Sequence, residues 1–275
     1  MSNLMLRLAV TGLFVLAALG GAVTVQASDL SADSLMALTE QRQSPPPHLY
    51  EEQTLVLTDR HGRRETRRMR SFLRREADGS AHFMLLFDAP AEIAGLALLS
   101  TLEATGARRN FFYLPALGDL LLEAAAESSG DHFLGTDFAV EDLTGEVAGG
   151  YRYQRRSDEE VDGVRLHVID AYPADDDGAE YPAMRHFIDA QRLVRVRSDH
   201  FDRFGRLHKR LRLHDLQPAG GGRWRANILH IDNLRSNHQS VIRVDRRVLS
   251  RDYVPIELFR AEWLFANRRA LEARP

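Results

Sequence analysis

Apolar and polar side chains alternate with a period of two through most of the chain beyond residue 50. Segments 64–75, 164–172, 184–189, 193–201, 207–216, 224–232 and 238–244 carry this pattern, which predicts strands with one wet and one dry face, and 50–59 and 81–87 read as extended segments between the same kind of turns. In the basic segment, Thr66, Arg68 and Arg70 face one way, and Arg67, Met69, Ser71 and Leu73 the other. Turn signals separate the segments at residues 59–62, 78–79, 105–106, 162–163, 189–191, 202–205 and 218–222. Their spacing suits antiparallel hairpins, not βαβ crossovers. About a dozen such strands are too many for one flat sheet, so a barrel, half-barrel or sandwich is expected. Two stretches break the rhythm. Residues 29–43 form an amphipathic segment with Leu35, Met36 and Leu38 on one side, stopped by Pro45-Pro46-Pro47. Residues 118–126, Gly-Asp-Leu-Leu-Leu-Glu-Ala-Ala-Ala, have helical propensity.

The N-terminus reads as a targeting segment. Arg7 is the only charged side chain before an apolar run from Leu8 to Ala22, and Val25-Gln26-Ala27 places short side chains before Ser28. This predicts a signal peptide over 1–27, cleaved after Ala27, and one mature domain over 28–275. The alternative is an uncleaved anchor, since no charge interrupts residues 8–28. No later apolar run is long enough to be a second membrane candidate.

Composition narrows the chemistry. Thirty-six basic residues against 39 acidic give a formal net charge of -3, so no global field favours nucleic acid. The absence of cysteine removes disulfides, thiolate metal sites, cysteine nucleophiles and lipid-modified cysteine. Histidine pairs 208/214 and 230/238 stand ~20 Å or more apart on a strand and cannot share a metal. His200, between Asp199 and Asp202, reads as a solvated side chain, and Asp175-Asp176-Asp177-Gly178 as a flexible acidic loop. Residues 130–135 have phosphate-loop glycine spacing, but Thr136 and Asp137 stand where lysine and hydroxyl are needed. No Gly-x-Ser-x-Gly elbow occurs. No cofactor, metal or catalytic site is therefore expected. Arginine dominates the positive charge: Lys209 is the single lysine among the 36 basic residues. The arginine run at 63–75 reads as a solvated surface, or alternatively as forked contacts to lipid phosphate or an acidic partner, with Arg68 and Arg70 as candidate rim arginines.

Phe111-Phe112-Tyr113-Leu114-Pro115-Ala116-Leu117, followed by Leu134-Gly135-Thr136-Asp137-Phe138-Ala139-Val140-Glu141-Asp142-Leu143, resembles the hallmark of the periplasmic outer-membrane lipoprotein-sorting family, the LolA-like group. The family's order of features continues with the basic strand 64–75, Phe87-Asp88-Ala89-Pro90 and Val161-Asp162-Gly163. The resemblance implies a mainly β fold: a strongly curved antiparallel sheet, an unclosed barrel, with helices covering its concave face and an apolar cavity for acyl chains. Candidate lining residues are Met84, Leu86, Leu96, Leu98, Phe112 and Leu114, with Leu35, Met36 and Leu38 as a lid. Plain core packing is the competing role for each. Within the family motif, Gly135 would supply an unusual backbone conformation, Asp137 an N-cap-like acceptor and Phe138 a core anchor, while Glu141, Asp142 and Leu143 finish a helical turn. A role of the three acids at a cavity mouth or docking surface is the alternative. The stretch 118–126 departs from the family's basic pattern, and the strand implied there overrides its helical propensity.

The functional expectation is a monomeric periplasmic carrier that binds lipid or lipoprotein acyl chains and moves them toward the outer membrane without ATP. Lacking a cysteine for acylation, it would be a soluble shuttle and not an anchored receptor. Two alternatives stay open: an accessory subunit of an inner-membrane lipid exporter, and a lipid hydrolase built on Ser128 or Ser129 with Asp131 and His132.

Overall fold

The computed structural model describes residues 30–115, 121–123, 135–139, 142–143, 150–174 and 181–272. The expected signal peptide, the 175–178 acidic loop, Glu141 and the Ser128, Ser129, Asp131 and His132 constellation lie outside the described residues.

Helix α1 spans Ala32–Gln43. Ser31 caps it, its hydroxyl accepting a hydrogen bond from the Ser34 amide at 3.1 Å, so the helix starts three residues later than the apolar pattern suggests. Fourteen strands follow: β1 His48–Thr58, β2 Arg64–Arg75, β3 Ala81–Ala89, β4 Ala97–Leu102, β5 Arg108–Tyr113, β6 Leu121–Glu123, β7 Tyr151–Arg155, β8 Glu159–Val161, β9 Val164–Pro173, β10 Ala183–Asp189, β11 Val194–Phe201, β12 Leu207–Pro218, β13 Trp224–Asn233 and β14 His238–Val248. Two 3-10 turns, Arg251–Tyr253 and Ile256–Phe259, lead into helix α2, Ala261–Glu272. The described part of segment 118–126 is strand β6, whose Leu121 and Glu123 pair with Tyr113 and Phe111. Ladder hydrogen bonds there prevail over local helical preference.

The strands form one antiparallel sheet in the order β6-β5-β4-β3-β2-β1-β14-β13-β12-β11-β10-β9-β7, with β8 also on β9. β6 and β7 end the sheet without pairing to each other, so it does not close. Hairpins make neighbours of consecutive strands, and the β1–β14 pair joins the two halves. The sheet is strongly curled. Five strand spacings of ~4.8 Å separate β3 from β12 along the sheet, ~24 Å if it were flat. Yet Leu85 and Phe87 of β3 share one buried cluster with Leu211 of β12. Bulges at Glu52/Gln53, Arg68/Met69, Phe187/Ile188 and His200/Phe201 supply local twist.

Alternation divides β1 to β4 into two buried faces. Leu55, Met69, Phe87 and Leu98 point to the concave interior, where Phe138 joins them. Tyr50, Phe72, Met84, Leu86 and Leu99 point outward, and there the C-terminal segment covers them with Val254, Leu258 and Leu264. Each such side chain contributes about 1.5–3 kcal/mol when fully buried. The C-terminal segment therefore clads the outside of the sheet, while α1 lies on the inside.

Candidate functional site

A cavity of about 450 Å³ opens between α1 and the concave face. Its apolar wall comes from Met36 of α1, Leu49 and Leu73 of β1 and β2, Phe83 and Leu85 of β3, and Leu211, Leu213, Leu229 and Ile242 on the facing strands. Leu143, the last residue of the family motif, lines it as well. The volume falls within the ~300–1,000 Å³ of ordinary ligand pockets. It is about three times a cavity known to hold benzene.

Polar groups gather where strands start and end. Arg75 closes β2, Trp224 and Arg225 open β13, and Gln43 and Ser44 end α1. Glu51 is buried in this wall but already satisfied: Arg247 Nε donates to it at 2.6 Å and Gln53 Nε2 at 2.7 Å. Arg247 spends its remaining donors on Asn227 Oδ1 and the Ala226 carbonyl, at 2.9 and 2.8 Å. Burial, joined by the positive charge of Arg247, pushes the Arg225 guanidinium below the usual arginine range, although Glu51 works in the opposite direction. Burial and then Arg223 do the same to Arg75.

The helix is pinned over the cavity by its C-terminal end. β12 pairs with β11 only from Arg197 onward, which leaves the main chain of Arg195 open. The Gln43 amide takes that place, donating to the Arg195 carbonyl and accepting from its N–H, both at 3.0 Å. Arg42 Nη1 donates to the Gly222 carbonyl at 3.0 Å, and Arg223 Nε to Ser44 Oγ at 3.2 Å. Gly220, Gly221 and Gly222 all have positive φ, so the hairpin that meets α1 here is built on glycine of necessity.

The family motif plugs the other end of the interior. Asp137, fully buried, accepts from Asn233 Nδ2 at 3.1 Å, from Ser240 Oγ at 2.7 Å and from His238 Nδ1. These contacts tie the motif to β13 and β14. The local capping acceptor is Asp142, whose Oδ2 receives the Ala139 N–H at 2.9 Å. Thr136 is buried, with its hydroxyl receiving the Phe138 N–H at 3.3 Å. Gly135 has φ +76°, and Phe138 is 1% exposed in the concave cluster.

Of the nine candidate lining residues, Met36 lies on the cavity wall. Leu35 is fully buried beside it on α1 and Leu38 is half-buried. Leu96 and Leu98, with Phe112 and Leu114 packed against them, belong to the Phe138-plugged cluster. Met84 and Leu86 sit on the opposite face under the C-terminal segment. The sequence run Phe83-Met84-Leu85-Leu86-Phe87 is apolar on both faces, so alternation could not tell which face looks into the cavity. Phe83 and Leu85 do. The candidate rim arginines are outward too: Arg70 pairs with Asp88 at 2.6 Å and Arg68 is exposed. Arg75, two pleats further along on the other face than Arg68 and Arg70, is the arginine of this run that reaches the cavity.

His200 is 3% exposed, not solvated, and meets the Tyr181 ring edge-on at 4.3 Å. Its position on β11 faces the interior, whereas Asp199 faces out to Arg197 and Arg210. Beside it, His186 Nδ1 and Ser198 Oγ lie 2.9 Å apart. They border a pocket of only about 30 Å³, room for water but not for a substrate.

Residues 79–264 match the model of a family whose description reads "Uncharacterized protein". The chain belongs to that family. None of the curated proteins matches it. Solved structures that this family member resembles include the following three. A domain described as that of an outer membrane lipoprotein-sorting protein, from Vibrio parahaemolyticus, is 20% identical with a TM-score of 0.78, covering 85% of this chain and 98% of its own. A DUF1329 family protein from Desulfovibrio piger is 21% identical with a TM-score of 0.76, covering 85% and 97%. A LolA superfamily protein from Nitrosomonas europaea is 15% identical with a TM-score of 0.67, covering 85% and 99%. The fold is thus LolA-like. Among the described residues, no helix is long and apolar enough to cross a membrane.

Proposed function

We propose that the chain is a periplasmic lipid carrier. After cleavage behind Ala27, residues 28–275 would act as one soluble domain that shelters acyl chains of a lipid or lipoprotein and delivers them toward the outer membrane without ATP. The observation that carries this reading is the 450 Å³ cavity walled by Met36, Phe83, Leu85, Leu213 and Ile242. Each methylene exposed to water costs about 0.8 kcal/mol, so a carrier has to offer an apolar groove in exchange. The LolA-like fold supports the same reading, as does the absence of cysteine, which leaves no residue to be lipid-anchored. On this reading the chain is a binding protein and not an enzyme. The test is purification of the exported protein followed by lipid extraction and mass spectrometry. Near-stoichiometric phospholipid or acylated peptide is expected. Protein that purifies empty and binds no acyl chain refutes the carrier; if it then holds a membrane transporter, the accessory role replaces it.

A further inference from the structure

Among the described residues, the cavity mouth gathers arginine side chains without ion-pair partners, although Glu40 and Glu51 also line the cavity. Arg75 and Arg225 both line the cavity, and Arg223 lies close enough to Arg75 for their charges to repel. Among the described residues none of the three forms an ion pair. Arg223 gives one bond to the Ser44 hydroxyl at 3.2 Å, and Arg225 Nη1 reaches the Gln43 carbonyl only at 3.4 Å. The Nε of Arg225 is buried with no hydrogen-bond partner. Glu51, the acid whose charge Arg225 feels, is already taken by Arg247.

Arginine abundance does not explain this. Several guanidinium groups elsewhere in the sheet are matched: Arg70 on Asp88, and Arg197 and Arg210 together on Asp199. A desolvated cation without a partner is costly, and the Arg225 guanidinium, whose Nε is buried, bears that cost beside the half-buried Arg223 and the exposed Arg75 unless an anion joins them. Guanidinium forks fit the oxygens of a phosphate in pairs. Directly inward from Arg75 and Arg225 the wall turns apolar, through Leu73, Phe83 and Leu213.

We propose that Arg75, Arg223 and Arg225 form a phosphate-binding site at the cavity mouth, which holds the headgroup of an amphiphile whose acyl part fills the cavity. This rests on the lipid-binding reading above. Trp224, which lines the cavity beside Arg225, reports on binding once the second tryptophan is removed as Trp263→Phe. The full mature chain is titrated with dihexanoyl phosphatidic acid, with dihexanoylglycerol and with inorganic phosphate. Phosphatidic acid should bind about tenfold or more tighter than the neutral lipid, as expected for one or more charge-assisted bonds. Arg75→Gln with Arg225→Gln should erase that preference, bringing phosphatidic acid to the same affinity as the neutral lipid measured on the same variant. Arg225→Lys, which keeps the charge and loses the fork, should retain part of it. Thermal melting confirms that each variant folds, and Arg223→Gln alone repeats the test without touching Arg225. Equal affinity of the two lipids overturns the phosphate site and leaves the carrier standing. Inorganic phosphate bound at the arginines, with neither lipid bound, upholds the site for free phosphate and overturns the carrier. Binding of no probe overturns both.

Discussion

Replacing Asp137 with asparagine should destabilise the protein far more than a one-atom change suggests. The carboxylate is fully buried and receives three side-chain donors, from Asn233, Ser240 and His238. Charge-assisted hydrogen bonds contribute about 1.5–3 kcal/mol each. Asparagine keeps one acceptor oxygen and turns the other position into a donor that faces donors. Losing one to two of the bonds, with a buried group left unsatisfied, predicts a loss of roughly 3–5 kcal/mol. At about 2–4 °C per kcal/mol for a domain of this size, the melting temperature should fall by roughly 6–20 °C. Urea unfolding followed by circular dichroism measures the change directly. A double-mutant cycle with His238→Ala should return a coupling of about 1.5 kcal/mol or more, since the two groups touch. A loss below about 1 kcal/mol, with no coupling, would refute the claim that this contact anchors the motif. The anchor matters for function because it holds Phe138 inside the barrel end beyond the cavity.

Three further outcomes follow from the same geometry. Gln43→Ala removes both amide bonds to Arg195 and should cost about 1–3 kcal/mol, with faster amide exchange confined to α1 in hydrogen-exchange mass spectrometry. Leu213→Trp fills open cavity volume; acyl-chain affinity should drop tenfold or more while the unfolding midpoint stays level or rises, because nothing packed is displaced. Acid should destabilise the fold through Asp199: burial raises its pKa, but the Arg210 and Arg197 forks outweigh that and hold it below the ordinary value. Since the folded pKa is the lower one, this stability is present above the unfolded value near 3.9 and is lost as pH falls through the folded value. Asp199→Asn should therefore be less stable at pH 7 and show a shallower loss below about pH 4 in pH-dependent melting.

The alternating segments 64–75, 207–216 and 224–232 were legible as strands to within two or three residues of β2, β12 and β13, because each has one wet face and a dry one whose period is unambiguous. Curling was legible from strand number alone. The cavity wall on β12 to β14, through Leu211, Leu213, Leu229 and Ile242, was not picked out, because alternation marks dry positions without saying which of them border open space. On β3 the inward face itself was not legible. The C-terminal segment buries Met84 and Leu86 from outside while the cavity takes Phe83 and Leu85 from inside, so both faces are apolar and periodicity is silent. The arginines posed the converse difficulty. Arg68, Arg70 and Arg75 look equivalent in sequence, and only the pleat and the position of Asp88 decide that Arg70 is neutralised outside and Arg75 stands at the mouth. Asp137 could not be assigned from its neighbours, because its partners Asn233, His238 and Ser240 lie about a hundred residues away in the chain.

The central claim is that acyl chains occupy the space between α1 and the concave sheet. Photo-crosslinking with a diazirine-bearing fatty acid, mapped by peptide mass spectrometry, tests it most directly. Adducts should fall on α1 near Met36, on β3 at Phe83 and Leu85, and on β12 and β13 at Leu213 and Leu229. They should diminish with Leu213→Trp. Adducts confined to the exposed Phe204 turn or to the C-terminal segment, or none above a denatured control, would contradict it.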